Sequence, residues 1–202
     1  MRIGLIGGTF NPIHHGHLFL AQEARYELDL EQVWFVPNRA PVHKKTDLAP
    51  AEDRLAMVRV AIADRPEFKV CTLELDSAEA SYTIDTLRQL PAEHRYTFIT
   101  GADALRYRWK SLDEVLERLE LMVAATRPGF GLDELGRHLD QLGLSRRDKI
   151  RVLAMPALDI SSSDIRTRVA EGRPVGYLVP WAVESYIRQH HLYRKGVKAA
   201  SG

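Results

Sequence analysis

His14 and His17 stand three residues apart, directly after a turn of small residues, Gly7-Gly8-Thr9, and the pair Asn11-Pro12. Side chains at that spacing share one side of a helix. Two imidazoles so placed can reach negative charge as it develops on a reacting group. The setting favours phosphate. Residues 3–6 are an apolar run that reads as a buried strand, and a helix-like run begins at Leu18. The N–H groups at a helix start attract anions. Gly7 and Gly8 let a phosphate come close to the main chain.

A second phosphate signal lies far along the chain, in Ile160-Ser161-Ser162-Ser163-Asp164-Ile165-Arg166. A serine run that opens a helix is, taken alone, an N-cap. With an arginine one turn in, the hydroxyls, free N–H groups and guanidinium can converge on a single anion. Pro41-Val42-His43-Lys44-Lys45 is either a solvated basic loop, the usual fate of lysine, or a place where Lys44 sits over phosphates as a compact point charge. Other nucleotide and metal patterns are missing. There is no G-x-x-x-x-G-K-[ST] and no G-x-G-x-x-G. His14, His15 and His17 come without H-E-x-x-H or cysteine pairs, so zinc is not expected. No nucleophile elbow is present for a Ser–His–Asp hydrolase.

The elements that must hold these groups follow from periodicity. Short apolar runs over residues 3–6, 33–36, 68–72, 96–100, 121–125 and 150–154 read as strands. Helical spacing appears near 18–28, 52–63, 83–90, 112–119 and 132–142; in the first, Leu18, Ala21, Ala24 and Leu28 share a face. Ser111-Leu112-Asp113-Glu114 reads as a capping box. This alternation predicts an α/β fold: a Rossmann-like, doubly wound, mainly parallel sheet that binds ligands at the carboxyl ends of its strands. After Ile160 the pattern is helical only, with helices over 161–170 and 181–190. We therefore expect an α/β core over 1–160, a small helical part over 161–193 carrying the serine motif, and a frayed tail over 194–202.

Global properties narrow the class. Lys+Arg total 28 and Asp+Glu 27, for a net charge of +1. No basic excess points to nucleic acid or an anionic membrane. A polyanionic substrate must therefore be held by a local site. Cys71 is the single cysteine, so no intrachain disulfide forms and a reducing compartment is expected. No basic-then-apolar leader is seen, and no apolar run approaches the ~18–20 residues of a membrane span. These features predict a cytoplasmic protein.

The opening frame, GGTF followed by the turn proline and HxGH, resembles the signature of the nucleotidyltransferase superfamily. There the α-phosphorus of a nucleoside triphosphate is attacked and pyrophosphate leaves. That superfamily usually has aspartate where this chain has Asn11; both residues can cap or close a turn. The late serine motif is similar to the superfamily's ISSTxIR element, with Ser163 keeping the hydroxyl of the usual threonine. Further pieces resemble bacterial nicotinate mononucleotide adenylyltransferases: Ser81-Tyr82-Thr83-Ile84-Asp85-Thr86-Leu87, Gly101-Ala102-Asp103, Trp109, Thr126-Arg127-Pro128-Gly129 and the closing Tyr177-Leu178-Val179-Pro180 to Tyr193. Taken singly, they read as a helix start, a strand-to-helix turn and core.

The resemblance implies transfer of AMP from ATP to nicotinate mononucleotide, forming nicotinate adenine dinucleotide and pyrophosphate, with Mg²⁺ carried on the ATP phosphates. It implies catalytic roles for His14, His17, Lys44 and Arg166. ATP contacts would come from Gly7, Gly8, Thr9, Phe10, Gly16, Gly101, Asp103, Ser161, Ser162 and Ser163. Nicotinate mononucleotide contacts would come from Thr83, Ile84, Trp109 and Arg127. An electron-poor pyridinium favours an indole face, and its carboxylate favours N–H donors at a helix start. Phosphopantetheine adenylyltransferases are shorter, with threonine at the first histidine's place, and cytidylyltransferases carry a different later motif. The alternatives are transfer to nicotinamide mononucleotide and a catalytically silent nucleotide-binding protein on the same fold.

Overall fold

A computed structural model of the chain describes residues 1–39, 48–76, 82–106, 109–126, 132–154 and 158–194. The strands are β1 (Arg2–Gly8), β2 (Gln32–Pro37), β3 (Phe68–Val70), β4 (Arg95–Gly101), β5 (Leu121–Thr126) and β6 (Ile150–Ala154). They form one sheet in the order β3-β2-β1-β4-β5-β6, and every pairing is parallel. The helices are α1 (His15–Glu27), α2 (Ala51–Ala61), α3 (Leu73–Asp76), α4 (Thr83–Gln89), α5 (Leu112–Arg118), α6 (Leu132–Gln141), α7 (Ser162–Ala170) and α8 (Trp181–Gln189).

The strands are apolar on both faces because both faces are covered. Side chains alternate with period two. On β1, Ile3 and Leu5 enter one core and Ile6 the other; on β2, Val36 enters the first, Val33 and Phe35 the second; on β4, Phe98 and Ile99 divide likewise. The first core takes Ile84 and Leu87 of α4, Val115 and Leu116 of α5, and Leu135 and Leu139 of α6. The second takes Ala21 and Ala24 of α1, Met57 and Val58 of α2, Ile165 of α7, and Val183 and Ile187 of α8. Four helices thus cover one face and three the other. The late helices share their core with β1 and with Phe10 and Ile13 of the turn that follows it.

Strand order reverses between β1 and β4. β1 leads outward to β2 and β3; β4 leads the other way to β5 and β6. In such sheets the crevice lies at the carboxyl ends of the two strands flanking the reversal. Here those ends are Gly7–Gly8 and Thr100–Gly101, kept side by side by a register that pairs Ile6 with Ile99.

Two expectations need correction. Ser111 does not close a capping box. It sits in left-handed backbone (φ 52, ψ 50) and its side chain makes no cap bond; the Glu114 carboxylate is taken by Arg88 in a two-point contact of 3.0 and 2.6 Å. The third strand stops at Val70 rather than Thr72, because Thr72 opens α3, with its carbonyl accepting from Leu75 and Asp76. Cys71 thus lies just past the strand, buried and unpaired. The tail expected over 194–202 lies, but for Arg194, outside the described residues.

Ile165 is the test of how firmly the late helices are fixed, since its side chain is fully buried between α7 and the turn after β1. We expect Ile165→Ala to lower unfolding free energy by about 2–5 kcal/mol. The check is a urea titration in which the midpoint falls while the slope is unchanged.

Candidate active site

β1 ends in two glycines for steric reasons. A Cβ on Gly7 would lie 3.3 Å from the Phe98 ring, and one on Gly8 3.0 Å from the Phe10 ring. The chain then turns through Phe10 in left-handed backbone (φ 47), a conformation that costs a non-glycine residue roughly 1–2 kcal/mol. Burial of the ring offsets that cost: Phe10 is 2% exposed and meets Phe35 edge-on at 5.7 Å. The Asn11–Pro12 peptide is cis, and α1 begins at His15 with His14 as its N-cap.

The two imidazoles stack, with ring centres 3.7 Å apart. Gly16 makes room for this: a Cβ there would sit 3.0 Å from His14 Nδ1. His17 meets Phe10 edge-on at 5.1 Å. The His14 N–H donates to His17 Nδ1 at 3.3 Å. Nδ1 is therefore an acceptor, and the neutral ring carries its proton on Nε2. Burial, with His14 alongside, holds the His17 imidazole well below its ordinary pKa. Protonation at Nδ1 would also set two N–H groups against each other. At neutral pH His17 is a fixed, uncharged Nε2–H donor.

The helix start is less open to anions than the sequence implies. The His15 N–H donates to the Leu178 carbonyl at 3.0 Å, and the His14 N–H is already engaged. Among the described residues the Gly16 N–H meets no acceptor.

The serine-led helix comes to this same turn. Ser162 Oγ donates to the Pro12 carbonyl at 2.9 Å. Arg166 donates to the Asn11 carbonyl at 2.9 Å and towards Ser163 Oγ at 3.4 Å. Of its five N–H groups, these two bonds leave others over. Ser161 is a true N-cap, its Oγ accepting from the Asp164 N–H at 3.1 Å. Asn11 Oδ1 accepts from the Ala49 N–H at 3.1 Å and the Tyr193 hydroxyl at 2.8 Å.

The residues expected to hold a pyridine ring lie on the other side of Phe98. Trp109 packs perpendicular to Phe98 at 5.6 Å, and its Nε1–H donates to the Ala104 carbonyl at 2.9 Å, which fixes the indole plane. One phenyl ring thus separates Trp109 from Gly7. Lys110 lies 4.4 Å over the Tyr82 ring and 3.2 Å from Asp85, so the segment around Thr83 is held beside Trp109. Thr83 is half-buried in the first turn of α4, with Tyr82 as N-cap. The Ile84 side chain is fully buried in the core, so that residue offers a ligand its main chain. Gly101 ends β4 at the crevice and exposed Asp103 follows it. No crowding demands glycine at 101, where an added Cβ meets nothing within 4 Å. Lys44 and Arg127 lie outside the described residues.

Sequence reading missed Arg54, Asn38 and Tyr193. Asn38 Nδ2 reaches Thr9 Oγ1 at 3.5 Å, and the Asn38 N–H donates to the Gly8 carbonyl at 3.0 Å. Burial pushes the Tyr193 phenol far up, against the pull of Arg166 and Arg54. A signal for Arg54 did exist. Arg54, Met57, Val58 and Ala61 are the buried residues of α2, at the spacing of a helix's inner face, and a cation in that stripe is out of place.

A family profile described as cytidylyltransferase-like matches residues 5–168. A relative from Moorella thermoacetica, carried under the name probable nicotinate-nucleotide adenylyltransferase, is 45% identical over 200 residues, covering 96% of this chain and 92% of its own. One from Clavibacter michiganensis under the same name is 46% identical, covering 96% and 94%. Among solved structures, Plasmodium falciparum nicotinic acid mononucleotide adenylyltransferase in complex with NaAD aligns with a TM-score of 0.74 at 19% identity, covering 95% of this chain and 97% of that one. That likeness matches the fold, and the identity to the bacterial relatives settles the branch. The chain belongs to the cytidylyltransferase-like family and, within it, to the nicotinate-nucleotide adenylyltransferases.

Proposed function

We infer that this chain transfers the adenylyl group of ATP to nicotinate mononucleotide, forming nicotinate adenine dinucleotide and pyrophosphate for NAD biosynthesis. The observation that carries the reading is the joining of the serine-led helix to the histidine turn by Ser162 and Arg166. It gives one polyanion two walls.

The 5′-phosphate of nicotinate mononucleotide is already ionised. One of its oxygens attacks the α-phosphorus of ATP, the bridge to the β-phosphorus breaks, and the electron pair leaves with pyrophosphate. No protein base is required, so the chain contributes alignment and charge stabilisation. His17 presents Nε2–H to oxygens of the α- and β-phosphates, with His14 stacked behind it. A neutral donor held in place by Phe10 and the His14 N–H needs no reorganisation as charge builds up. The remaining donors of Arg166, and Lys44, hold the leaving pyrophosphate; Ser161, Ser162 and Ser163 line the tail of the triphosphate. Gly7, Gly8, Thr9, Phe10 and Gly16 form the floor, with Gly101 and Asp103 across the crevice. Trp109 gives the pyridine ring a flat face, and the main chain at Thr83 and Ile84 gives its carboxylate N–H donors. Arg127 adds a cation on that side.

Among the described residues no group of three or more His, Cys, Asp or Glu is placed to hold a metal. Mg²⁺ would arrive with ATP, held by phosphate oxygens and water. When bound it would screen charge between those oxygens. No described helix is long and apolar enough to cross a membrane. We place the enzyme in the cytoplasm, where the free thiol of Cys71 stays reduced.

Pyrophosphate release from ATP and Mg²⁺ tests the reading. Nicotinate mononucleotide should support release; preference for the nicotinamide form would overturn the substrate assignment, and release with neither would overturn the reaction. His17→Ala should lower kcat by about 10²–10³-fold, the ~2.7–4 kcal/mol typical of a transition-state donor, with circular dichroism unchanged. Trp109→Ala should raise KM for nicotinate mononucleotide by roughly 2–10-fold and leave KM for ATP near its starting value; an equal rise in both would mean that Trp109 only fills core. Acid provides a separate check. The unfolded chain binds a proton at His17 near the ordinary pKa, and the folded chain resists it. The stability gained is whole above that pKa and is lost as pH falls through and below it. Between pH 6 and 5, His17→Asn should flatten the dependence of unfolding free energy on pH by up to about 1.4 kcal/mol per unit.

A further inference from the structure

Arg54 is a cation in the interior, 1% exposed, and among the described residues its guanidinium bonds to main-chain carbonyls alone. Nε donates to Ala49 at 3.2 Å. One terminal nitrogen donates to Thr9 at 2.8 Å and Asn38 at 2.7 Å. The other donates to Arg39 at 2.7 Å. Among the described residues no carboxylate pairs with it. These carbonyls belong to the segment after β1, the segment after β2 and the residue just before α2 begins to form, so one side chain ties together the loops beside the crevice.

A buried unpaired charge is costly and persists only where its hydrogen bonds are well made. An apolar side chain of similar length would bridge nothing, so the bonds are what set Arg54 apart. Their consequence lies across each peptide plane. In a trans peptide the C=O and the following N–H point in opposite directions. Of the peptides in this region only Asn11–Pro12 is cis. A Thr9 carbonyl turned to Arg54 therefore aims the Phe10 N–H away from it, and the Asn38 carbonyl does the same for the Arg39 N–H. Phe10 is the residue at φ 47, and its N–H has no acceptor among the described residues. Outward-pointing N–H groups on a turn of this kind form an anion-binding concavity.

We propose that Arg54 is a positioning residue: by drawing the Thr9 carbonyl inward, it turns the Phe10 N–H group into the crevice as a donor to the ATP polyphosphate. The proposal rests on the adenylyltransferase reading for the identity of the anion. Arg54 itself touches no substrate.

Amide resonances of the wild-type protein, titrated with inorganic tripolyphosphate, give the first test. The Phe10 amide should move downfield and saturate. Saturation that leaves the Phe10 amide unmoved overturns the proposal without any variant. Arg54→Lys keeps the charge but cannot reach all four carbonyls. The folded variant should bind tripolyphosphate at least about tenfold more weakly and show a raised KM for ATP, with KM for nicotinate mononucleotide changed by less than about twofold. A folded Arg54→Lys protein with wild-type tripolyphosphate affinity would mean that Arg54 only supports the loops. Should that variant not fold, the wild-type amide titration decides alone. Wild-type protein that binds tripolyphosphate through this amide yet releases no pyrophosphate would sink the reaction and leave the role of Arg54 standing.

Discussion

The main-chain carbonyls of Asn11 and Pro12 are where the two ends of this chain are joined. Arg166 binds the first and Ser162 the second, across 155 and 150 residues of sequence. Leu178 closes the same contact from the next segment by accepting the His15 N–H, and Tyr193 adds its hydroxyl to Asn11 Oδ1. A neutral hydrogen bond contributes only about 0.5–1.5 kcal/mol and one from a charged donor about 1.5–3 kcal/mol. Such bonds fix register more than they drive docking. The driving force is apolar: Ile165, Val175, Val179, Val183 and Ile187 enter the core that also contains Ile6, Phe10 and Ile13. Burial brings the late helices to the sheet, and the carbonyls decide which residues face each other.

Everything at the crevice follows from two packing facts about that sheet. Its strand order reverses beside β1, so two strand ends lie open together. Its faces are both covered, so the ends are the one part of β1 free to meet a ligand. The aromatic rings then divide the crevice. Phe10 packs under the histidines and Phe98 packs under Gly7 and beside Trp109. The histidine turn and Trp109 thus rest on neighbouring aromatic supports and are not built from one loop. This explains why Gly7 and Gly8 are needed beyond backbone freedom: a methyl group at either would press on one of those two rings.

Much of this was legible in the sequence, for reasons that differ by element. The strands were legible as short apolar runs, and the parallel sheet follows from strands without an outer polar face. In Ile160 to Arg166 the helix cap was legible and is present at Ser161, while Ser162 and Arg166 reach across to the turn after β1. What did not show was long-range carbonyl traffic. Nothing local tells that Leu178 will take the His15 N–H, so the helix start looked more open than it is. Ser111 misled because the capping pattern assumes extended backbone, whereas this residue is left-handed and Glu114 is drawn off by Arg88 from α4. Arg54 was visible as a charge on an apolar stripe, but its meaning needed the three loops that it gathers.

Asn11, the departure from the usual aspartate, takes its sense from the same charges. Its Oδ1 accepts from Ala49 and Tyr193, so an acceptor oxygen is what the fold requires, and an amide supplies one as well as a carboxylate does. The difference is electrostatic. An aspartate here would stand beside Arg166 and near Arg54, taking part of their field before any substrate arrived. With asparagine, that field is left to the incoming polyphosphate. The same logic runs through the rest of the site: His17 is held neutral and Tyr193 is held protonated by burial, and Arg166 and Arg54 bring positive charge near the turn. His17 and Tyr193 thus keep their protonation states across the neutral range. What varies during reaction is the charge on the phosphates, and the protein meets it with donors already in place.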